Sequence, residues 1–397
     1  MTSKNNVEIS EYIEDLRISS YRSILSNFTN FKIIPKNSAS NSIVFYATFN
    51  DRPLFFKIFP IGNVIDGNNC KIHKTTNLVF EKIYYEELFK LIKYNITPNI
   101  LCKVTTSDIP NFDSEFIDKL EPEVKKSIIE QINQSNEIED IPQDTLWKNT
   151  GVIITQSGGD MFEDIYRDLH PEDFKKVMFQ ILYTLYVFEK IEFSHGDLHS
   201  KNIFVLTVPE IELCYFVNNR FYKFKTTKLV KIYDFDHSTI CKTTEISINR
   251  STSITINQNK NPIREPGSIS NNRYGETNIF NKNLDIIMFY LLLDYNEPDF
   301  LRFYHSSFPG LKSTETITVP DTDLDMQWNT YFQTIKGPKY NGHIIKSFKR
   351  GGIVNNHLII PESIIIPKVN MMFHDYFNTL IATEEINIKT EIIYSLV

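Results

Sequence analysis

The sequence predicts an α+β chain in two halves, an antiparallel-sheet first half and a mainly helical second half. Short alternating apolar runs broken by turn residues fill residues 31–59, the mark of strands joined by tight connections. A run from His170 to Phe188 is apolar on most sides, as a buried helix is. With 397 residues, 41% apolar and 23% charged, the chain is a globular protein long enough for one large two-lobed domain.

The elements follow in order. Residues 8–27 carry apolar positions at helical spacing (Ile9, Tyr12, Ile13, Leu16, Tyr21, Ile24), so residues 1–30 read as an N-terminal helical extension. Phe31 to Ile34, Ile43 to Phe49 and Leu54 to Phe59 make three antiparallel strands. A polar loop from Lys36 to Ser42 joins the first two, and the turn Asn50-Asp51-Arg52-Pro53 joins the last two. A helix over Asn77 to Tyr94 has the stripe Phe80, Ile83, Tyr84, Leu88 and Leu91, with Thr76 or Asn77 as its cap. Ile100 to Val104 and Gly151 to Thr155 are further strands. Residues 106–148 between them read as a polar, acidic insertion with a helix near Glu121 to Ile132. The first lobe is thus 31–155 and the second 156–397. His170-Pro171-Glu172-Asp173 opens the long buried helix, with proline in the first turn and two acids at the positive end of the dipole. Glu212 to Val217, Asn218-Asn219 and Arg220 to Phe224 form a hairpin. Residues 242–275, rich in Ser, Thr and Asn, are expected to be a long mobile segment. A buried helix at about Leu284 to Leu293 and a helical C-terminus complete the second half.

Composition excludes some classes of function. A net charge of −7 argues against a nucleic-acid partner, which needs clustered Lys and Arg. Cys70, Cys102, Cys214 and Cys241 form no C-x-x-C pair, which favours reduced thiols in a cytoplasmic setting over disulfides or zinc. The first residues lack a signal-peptide core, and apolar runs such as Ile286 to Leu293 are too short to insert in a membrane.

The chemistry is concentrated in His195-Gly196-Asp197-Leu198-His199-Ser200-Lys201-Asn202, which reads H-x-D-x-x-x-x-N between the buried helix and an apolar strand. In a phosphotransferase such a loop uses the aspartate to accept or orient the proton of an attacking hydroxyl, and the asparagine to hold a metal ion on the ATP phosphates. Lys231-Ile232-Tyr233-Asp234-Phe235-Asp236 ends a strand in a second carboxylate. Asp234 and Asn202 supply the hard oxygens that Mg²⁺ prefers; the alternative for Asp234 is a strand-end cap. Lys57, flanked by aromatics, calls for a paired charge on a half-buried strand unless it faces solvent. Phosphates of ATP and a helix glutamate would pair it. Glu81 lies near the apolar centre of the helix, Glu86 opposite and Glu87 between, so Glu81 is chosen. Asn37, Ser38, Ala39 and Ser40 stand where a phosphate-covering loop is expected, without its glycines. Thr155, Gln156 and Ser157 would meet adenine through their backbone, and Asp160 the ribose, unless Asp160 is an ordinary loop residue. His195 is expected to hold the loop by hydrogen bonds and His199 to touch the γ-phosphate. Asp285 either braces the loop or is a plain helix-start acid.

In this order, Lys57, the helix glutamate, His195 to Asn202, Asp234 and Asp285 resemble the protein-kinase-like superfamily over nearly the whole chain. The stretch Gln180-Ile181-Leu182 with Phe193 to His199 looks most like the divergent serine/threonine kinases of large DNA viruses, of poxvirus and giant-virus type. That resemblance implies a bilobal fold, ATP with Mg²⁺ between the lobes, a protein substrate with a Ser or Thr hydroxyl, and a place in the host cytoplasm or virion. It makes Asp197 the catalytic base and Asn202 and Asp234 the metal ligands. The sequence departs from the family in the missing glycine loop, in Gly196 where arginine is usual, and in Asp236 where Asp-Phe-Gly ends in glycine. No Ala-Pro-Glu is present. His-Gly-Asp-Leu-His followed by Asp-Phe-Asp also resembles aminoglycoside and choline kinases, and a pseudokinase scaffold is the third alternative.

Overall fold

The structure, a computed structural model, describes residues 29–33, 42–49, 51–60, 64–66, 69–71, 76–110, 117–120, 122–139, 149–248, 251–259, 285–286, 289, 353–354, 357–358, 376–387 and 392–395. The expected helix at 8–27 and the loop Asn37 to Ser40 lie outside them, as do residues 260–275. The chain divides into two compact units, Met1–Phe89 with Leu101–Gly158, and Lys90–Ile100 with Gly159–Val397.

The first unit is built on a five-stranded antiparallel sheet. Its strands are β1 (Thr29–Ile33), β2 (Ile43–Phe49), β3 (Arg52–Pro60), β6 (Lys103–Pro110) and β7 (Asn149–Gln156), in the order β1-β2-β3-β7-β6. A small pair, β4 (Val64–Asp66) and β5 (Asn69–Lys71), stands apart from it. Alternation decides which face is core. Ile43, Phe45, Ala47 and Phe49 of β2 pack with Leu54, Phe56 and Ile58 of β3 and Val152 and Ile154 of β7. Helix α2 (Pro122–Glu139) adds Ile128 to this cluster. Strand β6 starts later than the sequence predicts and runs into the expected insertion, whose helix is α2.

Helix α1 (Thr76–Lys93) buries Tyr84, Tyr85, Leu88 and Leu91. Ile83, assigned to the apolar stripe on sequence, is instead exposed, while the carboxylate-bearing Glu81 is only 1% exposed. A buried charge on an otherwise apolar stripe needs a partner, and Glu81 has one.

The second unit is centred on α4 (Pro171–Lys190), preceded by the short α3 (Phe162–Ile165). His170 caps α4 by accepting from Glu172 N, Pro171 opens it, and Phe174 and Val177 to Phe188 are buried without a break after Val177. Strands β10 (Ile203–Val217) and β11 (Arg220–Ile232) form a long antiparallel hairpin. Its turn residues Asn218 and Asn219 both have positive φ, 52° and 59°, as a type I′ turn requires. β8 (Asp160–Met161) and β17 (Ile393–Ser395) flank β10. This hairpin gives the described part of the unit more strand than the mainly helical half predicted from sequence.

Two further expectations are corrected. Within 242–275, β13 (Thr244–Ser247) and β14 (Ser253–Ile256) pair in register instead of forming an unstructured segment, because Ile246, Ile254 and Ile256 alternate inward. The described C-terminal residues are not helical in the α sense: they form the pair β15 (Ile353–Val354) and β16 (His357–Leu358), a short 3₁₀ turn at Asn378–Leu380, and β17.

A buried polar network explains why Lys90–Ile100 belongs to the second unit. Asn99 Nδ2 donates to Gln180 Oε1 at 2.8 Å, Val230 N donates to the same oxygen at 3.0 Å, and Tyr215 OH donates to Asn99 Oδ1 at 3.0 Å. Asn99 and Gln180 are fully buried, so each lost partner would leave a desolvated amide.

Candidate active site

Lys57 lies on the face of β3 that carries Phe55 and Phe59, opposite the core face of Phe56 and Ile58. Its Nζ meets Glu81 Oε2 at 2.7 Å, with both side chains buried. Glu86, which is half exposed, instead pairs with the buried Lys103. Of the three acids considered for Lys57, namely Glu81, Glu86 and Glu87, the structure brings Glu81 to it.

The loop at 195–202 is set by two strand pairs. β9 (Phe193–Ser194) pairs with β12 (Thr239–Ile240), matching Ser194 to Thr239, and the base of the long hairpin matches Ile203 to Ile232. Tyr233 N donates to Asn202 O at 3.2 Å. Asp234, the next residue, has left-handed backbone, φ 67° and ψ 66°. The topology thus places Asn202 and Asp234 side by side although more than thirty positions separate them in sequence.

Asn202, 4% exposed, donates from Nδ2 to Asp197 O at 2.9 Å. That bond assigns the amide, so Oδ1 is the Asn202 atom that could ligate a metal ion. Among the described residues no three His, Cys, Asp or Glu side chains form a metal-holding cluster. An amide oxygen and one carboxylate are a fit for Mg²⁺ that takes its remaining ligands from phosphates and water.

Asp285 is 7% exposed and receives both neighbouring backbone donors, His195 N at 2.7 Å and Gly196 N at 2.9 Å. Burial pushes its carboxyl above the ordinary value, and His195 and these donors act against that shift. Gly196 has φ 80°, a conformation a β-carbon disfavours, which accounts for a glycine at this position. His195 Nε2 bonds Tyr233 O at 2.9 Å, Ser238 Oγ donates to His195 O at 3.0 Å, and the ring packs on Phe235.

His199 Nε2 lies 3.6 Å from Asp197 Oδ2, with about a quarter of each side chain exposed. Burial pushes Asp197 up, but His199, His237 and His195 outweigh it and hold the carboxyl below the usual range. For His199 burial pushes down, yet Asp197, Asp234 and Glu163 leave it raised.

Sequence reasoning missed Glu163. Its carboxylate accepts from Ser200 Oγ at 2.6 Å and lies 3.5 Å from Lys201 Nζ. No spacing rule links α3 to the loop; the link is made by β8, whose Met161 and Asp160 pair with Phe204 and Val205. Gly159 permits that approach, since a Cβ there would meet Val205 O at 2.6 Å and its φ is 87°. Asp160 is exposed beside this bridge.

Thr155, Gln156 and Ser157 end β7, where two donors are already engaged: Gln156 N with Cys102 O at 3.0 Å and Ser157 N with Pro53 O at 3.1 Å. Gln156 Oε1 is buried and has no hydrogen-bond partner among the described residues.

The sequence matches no family model, and no curated protein matches it. Many solved structures are similar to it, among them the following two. A MAP kinase from Leishmania major (LmaMPK10) aligns at 15% identity and a TM-score of 0.28, over 52% of this chain and 46% of its own. WaaP in complex with acyl carrier protein aligns at 9% identity and a TM-score of 0.35, over 74% of this chain and 85% of its own. The present chain spans under half the length of the MAP kinase.

Proposed function

We propose that the chain is an ATP- and Mg²⁺-dependent phosphotransferase of protein-kinase-like, bilobal fold that acts on Ser or Thr hydroxyls of a protein. The carrying observation is the joint placement of Asp197, Asn202 and Asp234: one loop holds the first two through the 2.9 Å Asn202–Asp197 bond, and the hairpin base brings the third beside them. The buried Lys57–Glu81 pair supports the same chemistry, since it supplies an oriented ammonium for phosphate oxygens. The resemblance to kinases of large DNA viruses extends the proposal to a viral enzyme of the host cytoplasm or virion.

In the proposed reaction Asp197 orients the acceptor hydroxyl and takes its proton; its depressed pKa keeps it ionised at neutral pH. Asn202 Oδ1 and the Asp234 carboxylate would hold Mg²⁺, which when bound offsets charge on the phosphates. Lys57 offsets further phosphate charge, and Asn37 to Ser40 cover the phosphates. With the N–H groups of Gln156 and Ser157 engaged, base recognition by Thr155 to Ser157 falls to carbonyls and to the Gln156 Oε1, with Asp160 on the ribose.

A small-molecule kinase is the second reading, favoured by the His-Gly-Asp-Leu-His motif whose Gly196 the backbone requires. Labelled ATP with Mg²⁺ should transfer phosphate to protein Ser or Thr in a panel that also holds amino-alcohols and aminoglycosides. Label on small molecules alone selects the second reading; no transfer and no nucleotide-induced thermal shift removes both. Asp197→Asn should lower turnover by roughly 10²–10⁴-fold.

A further inference from the structure

A carboxylate that must meet a hydroxyl in one orientation needs something to hold it, and the second unit contains such a device in His199. The inference rests on the proposed phosphotransfer for its catalytic meaning, though not for its geometry. His199 caps the short turn Ser200–Asn202, its Nδ1 accepting from Lys201 N at 3.2 Å. A nitrogen that accepts a hydrogen bond carries no proton, so the ring proton is on Nε2. Nε2 is the atom that faces Asp197 Oδ2, at 3.6 Å. The opposite tautomer would set a bare lone pair against a carboxylate and an N–H against an N–H.

The turn is itself braced from outside. Ser200, 3% exposed, donates from Oγ to the Glu163 carboxylate at 2.6 Å, and Asn202 N donates to His199 O at 2.9 Å. Glu163 follows β8 directly, and β8 is fixed on β10 by pairing that only Gly159 permits at that distance. One hydrogen bond thus ties Ser200 to the Glu163 carboxylate, and a second, from the N–H of the next residue, Lys201, holds the imidazole. We propose that His199 is a positioning residue for Asp197: the turn that Glu163 braces locks His199 in its Nε2–H tautomer, and that N–H fixes the orientation of the Asp197 carboxylate.

The test is a two-bond ¹H–¹⁵N correlation spectrum of the full chain with ¹⁵N-labelled histidine, recorded as pH is raised until the His199 signal no longer changes, so that the neutral ring is read although Asp197 raises its pKa; His199 is assigned by the His199→Asn variant. A single tautomer with protonated Nε2 and bare Nδ1 is expected. Glu163→Ala and, as an independent variant, Ser200→Ala should replace it by an averaged signal. Their turnover should fall about 10- to 100-fold through misplacement of Asp197. Glu163→Gln keeps an acceptor oxygen for Ser200 and should recover most of both signals. A proton on Nδ1 in the folded wild type overturns the proposal, as does full turnover in a variant whose tautomer has been lost. The spectrum needs no catalysis, so a wild type that transfers no phosphate counts against the proposed function while the tautomer is still decided.

Discussion

Removing the Asp285 carboxylate should damage the loop that carries Asp197 more than any other single change outside it. The side chain accepts two backbone donors, His195 N and Gly196 N, at 2.7 and 2.9 Å, in a site 7% exposed. Asp285→Ala leaves two desolvated N–H groups, each worth about 1–3 kcal/mol when unsatisfied, so the second unit should lose about 2–6 kcal/mol. Asp285→Asn keeps one acceptor oxygen and turns an NH₂ toward the other donor, so its loss should be about half that. Urea unfolding of the full chain followed by far-UV circular dichroism gives the midpoint. Amide hydrogen exchange at His195 and Gly196 shows whether the loss is local to the loop. An Asp285→Ala chain with a wild-type midpoint and unchanged exchange at those two amides would refute the bracing role outright.

Glu81→Ala, which strips a buried carboxylate from the Lys57 ammonium at 2.7 Å, should lower stability by about 3–5 kcal/mol. The double variant Lys57→Met with Glu81→Leu should lose less than the single one in the same denaturation assay, because no uncompensated charge is left buried. Asp197 should leave its mark on the acid side of the stability curve. Its folded pKa is depressed, so its contribution is complete above the unfolded value of about 3.9 and fades as pH falls through the folded one. The difference in unfolding free energy between wild type and Asp197→Asn should therefore shrink in strong acid, and shrink again as pH rises through the raised His199 value, because the substitution removes the carboxylate that favours the His199 cation; a difference that is the same at about pH 5 and in strong acid would contradict the assignment.

What was legible in the sequence follows the range over which each signal acts. Period-two alternation in Ile43–Phe49 and Leu54–Phe59, and the Asn218-Asn219 turn, are local, and strands and hairpin formed where they point. Glu81 was found because a helical wheel is also local: it exposes a carboxylate on the apolar side, and only a charged partner stabilises it there. The same wheel misplaced Ile83, since periodicity says which residues share a face and not how far the neighbouring element covers it. The paired strands β13 and β14 were hidden for a different reason: Ser and Thr read as loop, although Thr also suits a strand whose outer face is wet.

The interactions that fix the loop lay beyond sequence reading because they join residues far apart by way of strand pairing. Asp285 reaches backbone about ninety positions away, Glu163 reaches Ser200 across 37, and neither contact leaves a spacing to be read. Both act on backbone or turn geometry, where a carboxylate could in principle serve from almost any direction. The residues proposed to do chemistry are therefore clustered and visible, while the residues that hold them are dispersed and silent. That division explains a detail the motif alone left open. Gly196 and His199 depart from the usual protein-kinase loop, yet each has a local physical cause here: φ 80° at one, the Lys201 N–H at the other. The loop is held by Asp285 and Glu163, with the His199 ring facing Asp197. Its divergence is thus a change in how Asp197 is supported and does not remove any group that the proposed reaction uses.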